Sequence, residues 1–149
     1  MVRTSDILDA RVLVVDDQEA HVLLLERILR DAGYTSVQST MDAREVCALH
    51  DKHHYDAILL DLKMPGMDGF QVMECLRTLQ PDGTLPVLVL TADPGHKLKA
   101  LRAGAADFVK KPLDLAEVLT RLRNLIEVRL LHAETRRLEG QVAGMSKPE

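Results

Sequence analysis

Tyr55-Asp56-Ala57-Ile58-Leu59-Leu60-Asp61-Leu62-Lys63-Met64-Pro65-Gly66-Met67-Asp68-Gly69-Phe70 is the stretch that decides the fold. A short apolar run, Ala57 to Leu60, ends in an aspartate, and the chain then breaks into Pro- and Gly-containing sequence. Such a run, bounded by breakers, reads as a strand covered on both faces. Asp61 then stands at the strand's carboxyl end, where open α/β sheets bind ligands. One acid there is weak evidence, because a strand-end aspartate also caps helices.

Outward from this stretch the pattern repeats. Arg11 to Val15 is a second apolar, β-branched run ending in paired acids, Asp16 and Asp17. Residues 18–32 carry Val22, Leu25, Ile28 and Leu29 at helical spacing, stopped by Gly33. A short strand surrounds Val37, and Asp42 opens a helix with Val46 and Leu49 inward. Asp68 to Leu79 reads as a helix, Pro86 to Leu90 as a strand closing in Thr91, and His96 to Ala103 as a helix. Ala106 to Lys110 is a last short strand, and from Leu113 to about Val142 the pattern is one long helix. Parallel strands need helical crossovers, so this alternation predicts a doubly wound five-stranded parallel sheet with helices on both faces and an extended C-terminal helix. No glycine-rich phosphate loop follows the first strand; Asp16-Asp17-Gln18 holds that place.

At 149 residues, with 46% hydrophobic and 28% charged residues, the chain fits one globular domain with an appendage. A net charge of -4 and 3% aromatic content with no Trp argue against a broad nucleic-acid surface. Residues 1–10 are polar rather than signal-like, and no apolar run has the ~20 residues of a membrane span. A cytoplasmic domain is expected. Cys47 and Cys75 fall in helical segments and are expected as buried free thiols. His50, His53 and His54 lie at a polar helix end without acid or thiol partners at ligand spacing, and are expected on a solvated face.

The strand ends together present Asp16, Asp17, Asp61, Thr91 and Lys111 to one crevice. Three carboxylates gathered there repel one another, which a cation relieves. Hard oxygen ligands with open positions suit Mg2+ shared with a phosphate. A carboxylate beside it can attack phosphorus, with a lysine and a hydroxyl neutralising and binding the phosphoryl oxygens. A dehalogenase-type phosphatase is disfavoured because Lys63 stands where its second aspartate would be. The segment also lacks the alternating oxygens of a calcium loop.

Five blocks in order carry a family resemblance: Val14-Val15-Asp16-Asp17, Asp61 to Gly69, Leu90-Thr91-Ala92, Ala103 to Phe108, and Lys111-Pro112. Over roughly residues 10–129 the chain resembles the receiver domains of two-component response regulators, of flavodoxin-like fold; residues 130–149 would be a helical extension or linker. The resemblance implies that Asp61 accepts a phosphoryl group from a sensor histidine kinase or phosphotransfer protein. It implies Mg2+ ligation by Asp17, Asp61 and the Lys63 carbonyl, with Asp16 reaching the ion through water. Lys111 would contact the phosphate ahead of a cis Lys111-Pro112 bond. Thr91 and Phe108 would form the switch, Phe108 standing where a tyrosine is common and so lacking a hydroxyl. Lys63 and Asp93 would tune dephosphorylation. The readout would be the surface of the fourth helix, fifth strand and fifth helix, counted from the helix after Asp17. Such a domain is no enzyme beyond its own phosphoryl transfer and dephosphorylation.

Past residue 127, Val128, Leu131, Leu138 and Val142 form a sparse stripe among charges, near a 3.5-residue period. It suggests a short coiled coil and a homodimer through this helix or the fourth and fifth helices; the alternative is a frayed, solvated tail. A receiver that continues into such a helix resembles those joined to a downstream output domain, the other reading being a stand-alone receiver. Gly140, Gly144 and Pro148 mark where helical order is expected to fail. A receiver-like module that dimerises without phosphate is the competing function.

Overall fold

The computed structural model describes residues 2–62, 69–80, 85–92 and 95–146, with backbone alone at 136, 137 and from 139 on. In chain order the elements are α1 (Thr4–Leu8), β1 (Arg11–Val15), α2 (Glu19–Asp31), β2 (Ser36–Thr40), a 3-10 turn (Ala43–Glu45), α3 (Val46–His53) and β3 (Ala57–Asp61). Then come α4 (Gly69–Leu79), β4 (Val87–Thr91), α5 (His96–Arg102), β5 (Asp107–Lys110) and α6 (Leu115–Ser146). The strands form one parallel sheet in the order β2-β1-β3-β4-β5. The order reverses between β1 and β3, which puts the crevice of a doubly wound sheet at their carboxyl ends.

Alternation along each strand builds two cores. Leu13, Val15, Ile58, Leu60, Val87 and Val89 face α3, α4 and α5, packing against Val46, Val72, Leu76 and Ala100. Val12, Val14, Leu59, Leu88 and Leu90 face the opposite way, against Leu25 and Leu29 of α2 and Val118, Leu122 and Ile126 of α6. The residues of β1 after Arg11, and all of β3 and β4, are almost wholly buried, as the continuous apolar runs predict, while the edge strands β2 and β5 are only partly covered. Gly33 and Gly104, both at φ +107°, turn the chain out of α2 and α5 in a conformation that a Cβ disfavours.

Four features differ from the sequence reading. Residues 4–8 form a helix, α1, whose Ile7 is buried beside α6; a single apolar turn is too short to announce itself by periodicity. This shifts the helix count by one, so the expected readout surface is α5, β5 and α6. The long helix runs on through Gly140 and Gly144 to Ser146, since glycine lowers helix stability by only ~1 kcal/mol and does not by itself stop a helix. Pro148 lies outside the described residues. Cys47 and Cys75 are not free thiols: they are joined as a disulfide between α3 and α4, with Cα atoms 6.4 Å apart. Two segments 28 residues apart reveal such a pairing only once their helices are placed side by side.

His50 is the fourth departure, buried at 4% exposure rather than solvated. Its Nδ1 accepts the Tyr55 N–H at 3.1 Å and its Nε2 lies 2.9 Å from Gln80 Oε1, so the neutral Nε2–H tautomer satisfies both partners. Burial pushes the imidazole below its ordinary pKa, with the Gln80 hydrogen bond opposing. The unfolded chain takes up this proton near pH 6.5 and the folded chain does not, so His50 costs stability as pH falls below about 6.5. His50→Gln should flatten the fall in Tm between about pH 7.5 and 5.5 in thermal melts; an unchanged slope would contradict this.

Candidate phosphoryl-transfer site

Each strand end delivers one part of the site. β1 leads into Asp16 and Asp17, and Asp16 is anchored by its N–H to the Thr40 carbonyl of β2 at 3.3 Å. Asp16 Oδ1 accepts the Gln18 N–H at 2.9 Å, an Asx turn that leads the chain into α2. The pairing register sets Val15 beside Leu60 and Asp61 beside Leu90, which brings the acids of β1 and β3 to one level. Ligand oxygens of Asp16, Asp17 and Asp61 all lie within 4.8 Å of one another. Asp16 and Asp61 are 1% and 4% exposed.

Lys111, just past β5, brings its Nζ to 3.3 Å from Asp61 Oδ2 and 3.8 Å from Asp16 Oδ2. The Lys111 N–H donates to the Thr91 carbonyl at 2.8 Å, and Lys111-Pro112 is cis, as the resemblance implied. Thr91 ends β4 and is buried at 1% exposure. Lys110 pairs with Thr91 in the sheet and stays exposed, so the two neighbouring lysines part company as strand alternation requires. Phe108 is half-buried on β5, its ring centroid 5.4 Å from Lys97 Nζ of α5. Lys63 and Asp93 lie outside the described residues.

The structure thus gathers Asp16, Asp17, Asp61 and Lys111, with Thr91 ending the neighbouring strand. It also adds a residue absent from the sequence reading. His21, third residue into α2 after the cap, folds back so that Nδ1 lies 3.1 Å from Asp16 Oδ2. The signal for it was positional, since a side chain at that place reaches back over the helix entry.

A divalent cation fits this donor set. Among the described residues Asp17 Oδ1 is buried with no hydrogen-bond partner. A buried, unpartnered carboxylate oxygen costs stability unless a cation or water satisfies it. Three hard oxygen donors with one lysine do not neutralise each other, and they match Mg2+ better than softer metals.

A sequence profile of the response regulator receiver domain matches residues 12–123. The chain belongs to that family. It is 40% identical over 134 residues to the response regulator PleD of Caulobacter vibrioides, a match covering 89% of this chain. The chain spans only 29% of the length of PleD. Among solved structures it superposes on the chemotaxis protein CheY4 of Vibrio cholerae with TM-score 0.72 and 32% identity, covering 78% of this chain and 98% of that one. The receiver domain of the sensor histidine kinase PA1611 of Pseudomonas aeruginosa, whose structure holds magnesium in its active-site cleft, gives TM-score 0.73 at 29% identity, covering 80% and 98%.

Asp17→Asn should weaken Mg2+ binding about 10-fold or more in isothermal titration calorimetry, while the metal-free Tm does not fall. Unchanged affinity would remove Asp17 from the ligand set, and a lowered metal-free Tm would make its role structural.

Proposed function

We propose that this receiver accepts a phosphoryl group on Asp61 and passes on that state through a change in its α5, β5 and α6 surface. One observation carries the reading: Lys111 Nζ lies 3.3 Å from Asp61 in a crevice that also holds Asp16 and Asp17. A carboxylate oxygen of Asp61 attacks phosphorus in line as the bond to the donor breaks. The Lys111 ammonium then faces the equatorial oxygens, and the Thr91 hydroxyl hydrogen-bonds one of them. Asp17, Asp61 and the Lys63 carbonyl would hold Mg2+ directly and Asp16 through water, and the ion would supply the divalent charge that phosphoryl oxygens require. Thr91, drawn to the phosphoryl group, leaves room for Phe108 to move inward, a shift between two populations of the same fold. In this reading Lys63 and Asp93 set how long the phosphoryl group lasts.

The donor in this reading is a sensor histidine kinase or phosphotransfer protein, as is general in the family, and the setting is cytoplasmic; no described helix is long and apolar enough to cross a membrane. Residues 10–129 form the receiver and residues 130–149 a helical connection towards an output domain. The support is that the relatives are longer proteins and that α6 outlasts the sheet it covers. Val128, Leu131 and Leu138 are 51%, 44% and 49% exposed on α6, a stripe that a second copy would cover in a coiled coil. A fixed, phosphate-independent dimerisation module would need none of the four charged groups gathered at the crevice.

With acetyl phosphate and Mg2+, the intact mass should rise by one phosphoryl group, and Asp61→Asn should abolish the rise. Sedimentation of the same samples should show self-association that responds to phosphate. No mass gain, or equal gain in Asp61→Asn, would overturn the reading; a monomer in both states would remove the dimer from it.

A further inference from the structure

The Cys47–Cys75 bridge joins the two helices whose entries flank the acid cluster. Cys47 is in the first turn of α3 and Cys75 is midway along α4, both only partly buried. At the start of α4, the Gly69 N–H donates to the Leu62 carbonyl at 3.1 Å. A Cβ on Gly69 would come within 2.8 Å of Leu62 Cα and 3.3 Å of the Asp61 carbonyl oxygen, so the helix entry is seated directly on the residue after Asp61. The entry to α3 is held just as closely to Asp16. Thr40, whose carbonyl takes the Asp16 N–H, accepts the Asp42 N–H through Oγ1 at 3.1 Å and donates to Glu45 Oε2 at 2.8 Å. His50 of α3 also meets Gln80, the residue just after α4, at 2.9 Å.

We infer that Cys47–Cys75 is a thiol–disulfide exchange site whose redox state sets how freely the α4 entry moves beside Asp61, a regulation that rests on the phosphoryl-acceptor reading above. The reductant is a dithiol, small or on a protein. Its thiolate attacks one sulfur of the bridge, the S–S bond breaks, and the second cysteine leaves as a thiolate that takes up a proton. The reagent's other thiol then closes its own disulfide and expels the first cysteine, so two protein thiols form as one reagent disulfide forms. Where thiol pools are reducing, a protein disulfide is usually transient and redox-sensing, which is the behaviour expected of a bridge on two exposed-side helices. Bridged, α3 and α4 move as one body. Reduced, they are held by packing and the His50–Gln80 contact, and the Leu62–Gly69 joint loosens.

The test equilibrates the whole chain in graded dithiothreitol redox buffers, traps thiols by alkylation and weighs the protein. Amide exchange at Leu62 and 69–79, and labelling by acetyl phosphate, are then measured in both forms. The expected result is reversible interconversion, exchange at the α4 entry about 10-fold slower in the bridged form, and a labelling rate that differs about 3-fold or more. A Cys47→Ser, Cys75→Ser double variant should match the reduced form in every buffer. Full alkylation of the untreated chain, or equal exchange in both forms, overturns the inference, as does equal labelling when both forms are labelled. Exchange that differs while neither form is labelled leaves the switch of mobility standing and sinks the phosphoryl-acceptor reading instead.

Discussion

Oxygens of Asp16, Asp17 and Asp61 crowd within 4.8 Å at the carboxyl end of a sheet whose central strands are buried on both faces. At that spacing each ionised pair repels by about 3–4 kcal/mol for an effective dielectric of 20. Parallel strands have no choice in the matter, because the register that buries Leu60 beside Val15 also levels the strand ends. The charge is offset by Lys111 reaching across from β5, and His21 leans on Asp16 from α2. The neighbouring elements meet at this cluster: the end of β5 delivers the lysine, the entry to α2 gives Asp16 the Gln18 N–H and His21, and α4 seats its glycine against Leu62.

The two cores serve that arrangement differently. Both faces, the one against α2 and α6 and the one against α3, α4 and α5, are packed by aliphatic side chains at near-zero exposure. Ile7 of α1 and the Arg129–Asp56 ion pair at 3.3 Å extend the platform along α6 beyond the strands. The other face carries the shorter α3 and α5, a disulfide and a buried histidine, and it holds the residues that would have to move. Phe108 lies half-buried at the border, near the cationic side of α5.

Periodicity and strand-end residues sufficed for the sheet, the helices of two turns or more, and the acids with Lys111, because a doubly wound sheet sends all strand ends to one place. His50, Cys47–Cys75 and α1 were not readable that way. Each depends on which segments the tertiary packing sets side by side: His50 looks solvated until Gln80 is placed over it, and Cys47 has no partner until α4 lies against α3. His21 sits between these cases, since its position relative to the cap was visible and its contact with Asp16 was not.

The central claim is that Asp61, rather than its neighbours Asp16 and Asp17, carries the phosphoryl group. Borohydride reduces an aspartyl phosphate to homoserine, so the labelled chain can be trapped, digested and sequenced by tandem mass spectrometry. The account predicts homoserine at position 61 alone, dependent on Mg2+ and lost in Lys111→Ala. Homoserine at 16 or 17, or at none of the three, would contradict it.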